Sequence, residues 1–78
     1  MASYLGSRTL VSSSLSRLIG DFLLNDFVAL AKVHGLRPET SGILPLEFRM
    51  LMVCLHEGVF NRGEVRGLIR ARLQDLHG

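Results

Sequence analysis

Residues that start and stop helices punctuate this 78-residue chain and leave three segments of helical length between them. Gly35 can take the left-handed conformation that closes a helix, with Leu36 packing back over the last turn. Arg37-Pro38 follows and forces extended backbone, because a proline ring disfavours helical geometry in the residue before it. Pro45 suits a first helical turn, where its missing amide is not needed, and Gly58 with Val59 repeats the stop. Asn61 with Glu64 three residues on is a capping box, in which each side chain bonds the other's orphan backbone amide. The spacing predicts helices over about residues 14–34, 45–57 and 62–76, following a lead segment 1–13. The fold class expected is all-α, a small bundle of these three main helices in one domain over 14–78. A short helix within the lead would make a fourth.

Apolar residues recur at helical spacing within those bounds. In the first segment Leu15, Leu18, Ile19, Phe22, Ala29, Leu30 and Val33 share one face, and Leu24, Phe27 and Ala31 widen it. Arg17, Asp21, Asn25 and Lys32 mark a narrow polar stripe, so this helix should be central or lie in an interface. The second segment is continuously apolar from Met50 to Leu55. Six such residues could also make a buried strand, but proline before and glycine after, a helix length apart, favour a helix. Its polar stripe is Arg49 and His56. In the third, Val65, Leu68, Ile69, Leu73 and Leu76 form the seam, with Arg62, Arg66 and Arg70 on a neighbouring stripe.

So short a chain buries only roughly 60% of its unfolded surface, yet 47% of its residues are hydrophobic and the mean hydropathy is +0.30. That excludes a disordered tail and leaves more apolar surface than a small body hides, so a protein partner or a homo-oligomer is expected. No run of about 18 apolar residues is present, so no membrane span is expected. The first twenty residues are rich in Ser, Leu and Arg and lack acids. That is the composition of a mitochondrial transit peptide and equally of an ordinary helix start. The single cysteine excludes a disulfide framework and favours a reducing compartment. The expected location is cytoplasmic, with mitochondrial as the alternative.

No arrangement of residues points to a reaction. His34, His56 and His77 fall near the three helix ends, where a cation complements the helix dipole, and lack the spacing of metal ligands. Cys54 lies in the most apolar run, where a thiol is inert. No glycine cluster resembles a phosphate loop. The chain is therefore read as non-enzymatic, with no catalytic residue, cofactor or metal. Two features carry binding chemistry. Asp26 projects onto the apolar face of the first helix, and an isolated buried carboxylate is so costly that it needs a partner. Either it forms a buried ion pair with an arginine of another helix, Arg49 or Arg66, or it faces an interface. Eight of the nine basic residues are Arg, Lys32 being the exception. The stripe Arg62, Arg66 and Arg70 is either a solvated face or a site for the phosphates of a nucleic acid or the acids of a protein partner.

The run LIGDFLLNDFVALAKVHGL, followed by ILPLEFRMLMVCLHEGVFNRGEVRGLI, resembles the start of the helical tail domain of aminoacyl-tRNA amidotransferase B subunits and the related YqeY proteins. Asp26, Pro45, Glu57-Gly58 and Val65-Arg66 occupy matching positions. The family's Ser-Gly-Lys after the turn is Asn61-Arg62-Gly63 here, and its second helical half has no counterpart. The resemblance implies an all-α fold and contact with tRNA. LPLEFRMLMVCLHEGVFNRGEV is also similar to the start of a winged helix of response-regulator type. A wing needs a β-hairpin after the third helix, where the chain reaches Gly78, so DNA reading is not expected. The function expected is a small helical adaptor that docks its apolar helix faces on a protein partner or on itself. The alternative is a tRNA- or RNA-binding module using Arg62, Arg66 and Arg70.

Overall fold

The computed structural model describes residues 13–78. Nearly all of the lead segment, and with it the expected short fourth helix, lies outside the described residues. Within them are three helices, one 3₁₀ turn and no strand: α1 over 13–32, α2 over Pro45–His56 and α3 over Arg62–His77, with Pro38–Thr40 as the turn between α1 and α2. No helix among the described residues is long and apolar enough to cross a membrane.

The stops and starts act through hydrogen bonds. The Leu36 N–H donates to the Ala31 carbonyl at 3.0 Å and the Gly35 N–H to Lys32 at 2.9 Å. Val59 and Gly58 repeat the pattern onto Cys54 and Leu55 at 2.9 and 3.2 Å. Both are Schellman endings, and both need φ > 0 at the glycine, which is +70° at Gly35 and +79° at Gly58. At the start of α3 the Glu64 N–H donates to Asn61 Oδ1 at 2.8 Å, and the Asn61 N–H donates to Glu64 Oε1 at 2.9 Å.

α1 departs from the uniform helix expected. Residues Leu23–Phe27 form a π-helical turn, in which the Val28 N–H donates to the Leu23 carbonyl five residues back. The wider turn absorbs one extra residue, so the inward face after it is displaced by one position along the sequence. Phe22, Phe27, Leu30 and Ala31 are buried, whereas Ala29 is exposed and Val33 is 81% exposed. The seam read with constant α-helical spacing, ending in Ala29, Leu30 and Val33, is therefore corrected to Leu30 and Ala31. The Asn25 side-chain amide donates to the Asp21 carbonyl at 2.9 Å and to the Asp21 carboxylate at 2.8 Å. A side chain thus supplies a donor where the backbone ladder changes register.

The core joins these four residues to Ile43 from the connector, Met52 of α2, and Val65, Ile69 and Leu73 of α3. The last three recur every four residues and make one stripe. Leu68 and Leu76, expected in the same seam, lie at its rim, 43% and 40% exposed. Phe48 of α2 packs its ring 5.0 Å from that of Phe27 and 6.1 Å from that of Phe22, centroid to centroid. Arg72 Nε bonds Glu47 Oε2 at 3.0 Å and fastens α3 to α2. His77 Nε2 donates to the carbonyl of buried Ser41, tying the end of α3 to the connector.

Candidate interaction site

Two surfaces carry the residues singled out in the sequence. The first is a carboxylate–guanidinium cluster where α1 meets the start of α3. The π-turn directs Asp26 inward, and it is 8% exposed. The capping box orients the first turn of α3 so that Arg62 reaches across to it. Arg62 Nε donates to Asp26 Oδ2 and Arg62 Nη2 to Asp26 Oδ1, both at 2.8 Å. This two-pronged geometry matches the guanidinium fork to a carboxylate. Arg62 Nη2 also bonds Asp21 Oδ2 at 2.8 Å, and the guanidinium carbon lies 5.5 Å from the centre of the Phe22 ring. Arg66 Nε stands 3.9 Å from Asp26 Oδ2.

The charges are mutually adjusted. The hydrogen bonds from Arg62 hold the Asp26 carboxyl below the ordinary carboxylate range. Desolvation opposes this, and the positive charges of Arg62 and Arg66 add to it. The Arg62 guanidinium is in turn held more firmly protonated by its bonds to Asp26 and then Asp21.

The stripe of Arg62, Arg66 and Arg70 is accordingly divided. Arg62 is committed to two carboxylates of its own chain, Arg66 lies at the edge of the same cluster, and Arg70 makes no ion pair among the described residues. Of the two partners considered for Asp26, Arg66 is the secondary one. Arg49 sits exposed on α2 and makes no ion pair among the described residues. Sequence reasoning placed Asp21 in a wet stripe and missed its part in the cluster. The available signal was the pair of acids five residues apart, with Asn25 between them.

The second surface is the outer face of α2. Only Met52 of this helix is fully buried; Phe48, Leu51 and Leu55 are half-buried against the core, and Leu46 and Met50 face outward. Leu46 is 68% exposed and Met50 60%, with Leu44 and Val59 exposed at the two ends. Leu46, Met50 and Cys54 follow one another at intervals of four and form a ridge. On one side a groove of about 430 Å³ is walled by Leu44, Leu51 and Phe60. On the other a smaller groove of about 260 Å³ runs beside Arg49 and Val53.

The Cys54 thiol is half-buried and free. His56 meets the Ser14 hydroxyl at 3.3 Å, and the rings of His34 and His77 lie 6.3 Å apart. Among the described residues no group of three or more His, Cys, Asp or Glu side chains comes together to hold a metal ion. Compared with protein-family models, curated proteins and solved structures, the chain shows no match.

Proposed function

We propose that this chain is a non-enzymatic interaction module that docks the outer face of α2 on a protein surface. One observation carries the reading: the ridge Leu46–Met50–Cys54, exposed at Leu46 and Met50, lies between two grooves whose linings are almost wholly apolar. Exposed contiguous apolar surface of this kind marks interaction sites on small proteins. The other reading, tRNA binding, draws on the resemblance to the amidotransferase tail and on the arginine stripe. Its electrostatic basis is narrowed by the commitment of Arg62 to Asp21 and Asp26, which leaves Arg66 and Arg70 to meet phosphates.

A photo-crosslinking residue placed at position 50 in the full chain, compared with one at position 70, separates the two readings in cells. Protein adducts from position 50 are expected. RNA adducts from position 70 with none from position 50 would reverse the assignment. A filter-binding series with tRNA gives an independent check, since phosphate contacts weaken steeply as salt rises.

A further inference from the structure

We propose that the occupant of the α2 face is a second copy of the same helix, packed antiparallel about a two-fold axis beside Val53. The inference rests on the reading of this face as a docking surface and names what docks there. Three features of the face argue for self-recognition.

The first is shape. A ridge with spacing of four, flanked by grooves on both sides, is the arrangement that lets two like helices interdigitate, each ridge entering the other's groove. The ridge Leu46–Met50–Cys54 and the groove beside Arg49 and Val53 belong to one helix, so a second copy offers the same ridge to the same groove, as a two-fold interface requires.

The second is charge. Arg49 and Glu57 are the exposed charged residues of the segment from Arg49 to Glu57, and neither makes an ion pair among the described residues. They stand eight residues apart, about 12 Å along the axis, with Val53 midway between them. A copy laid antiparallel across that midpoint brings each Arg49 to the other copy's Glu57. Two opposite-charge pairs then close the ends of an apolar seam.

The third is a local misfit within the single chain. Glu57 is the C-cap of α2, at the negative end of the helix dipole, where an acid is unfavourable. An antiparallel neighbour places a guanidinium there and sets the two dipoles head to tail. A helix of twelve residues is about 18 Å long. Crossing another of its kind, it covers less than the roughly 800 Å² per partner of a standard interface. The association is therefore of the weak, concentration-dependent class.

Charge reversal on the full chain tests this, read by sedimentation equilibrium from micromolar to several hundred micromolar protein. The wild type should show a monomer–dimer equilibrium. Arg49→Glu alone and Glu57→Arg alone should each weaken it by about tenfold or more, since each sets like charges opposite one another twice. An equimolar mixture of the two single variants should restore it, because one copy then carries two acids and the other two bases. Both sites are exposed, and an unchanged circular dichroism spectrum verifies that the helices persist. A wild type that is monomeric throughout, single variants that associate as the wild type does, or a mixture no tighter than its components would each overturn the proposal. Crosslinks from position 50 to a different protein, with the chain itself monomeric, would overturn the second-copy inference while leaving the docking reading in place. Absence of any protein adduct at position 50 would remove both.

Discussion

A carboxylate as buried as Asp26 persists in so small a core because both its oxygens accept bonds from Arg62. A hydrogen bond to a charged group contributes about 1.5–3 kcal/mol. Arg62 is 43% exposed at its side chain, so water can hydrate it once its partner is gone. Asp26→Ala should therefore cost about 1.5–3 kcal/mol rather than the larger penalty of a fully buried pair, and Asp75→Ala, at an exposed site, should cost far less in the same thermal melt. The pH dependence has a defined sign. Asp26 titrates lower in the folded chain than in the unfolded one. Its contribution is complete above about pH 4, the unfolded value, and is lost as pH falls through the lower folded value. The gap in melting temperature between wild type and Asp26→Asn should accordingly narrow below about pH 4. Arg62→Gln should destabilise more than Asp26→Ala, because it leaves the buried carboxylate with only Arg66 at 3.9 Å, whereas Arg66→Gln combined with Arg70→Gln should leave melting nearly unchanged. The need of Asp26 for a partner was legible in the sequence, because hydration cost depends on residue type and face alone. The choice of Arg62 was not, because it depends on where the first turn of α3 is aimed.

Helix ends and helix interiors differ in how well the sequence discloses them. The stops at Gly35 and Gly58 and the capping box at Asn61 act over three to five residues, and local chemistry determines them. Asn61→Ala should weaken the start of α3 by roughly 0.5–2 kcal/mol, with faster amide exchange at residues 63–65 as the direct reading. The π-turn was not legible, because the seam of α1 reads equally well at constant spacing until the α3 stripe Val65–Ile69–Leu73 selects which residues meet it. Its role as a register shift has a consequence. Removing the exposed Leu24 would leave Phe22, Asp26, Phe27, Leu30 and Ala31 spaced i, i+3, i+4, i+7 and i+8, the face of a regular α-helix. A chain lacking Leu24 should fold and melt close to the parent. A chain lacking Ala29 instead should melt far lower, because Leu30 and Ala31 rotate away from α3. Equal melting of the two deletions would show that the register of α1 is not set by this turn.

Among the described residues, the apolar side chains are divided between an inward and an outward face. α1 and α3 turn a stripe inward, while α2 has one fully buried residue and shows Leu46 and Met50 to water. The composition disclosed a surplus, since the chain is 47% hydrophobic and nine hydrophobic side chains are buried among the described residues. It did not disclose how the helices share it: Leu24 of α1 and Val33 just after it are exposed as well as Leu46 and Met50 of α2, and within Met50 to Leu55, which reads as uniformly apolar, only the packing of Met52 separates inside from outside. Met50 and Met52 therefore report on the two faces of one helix. The most direct measurement is methyl NMR of methionine-labelled protein with a soluble nitroxide, recorded dilute, concentrated, and in cell extract. Met52 should be shielded throughout, whereas Met50 should be broadened by the nitroxide when dilute and become shielded on concentration or in extract. A Met50 methyl that stays fully open to the nitroxide under all three conditions would contradict it.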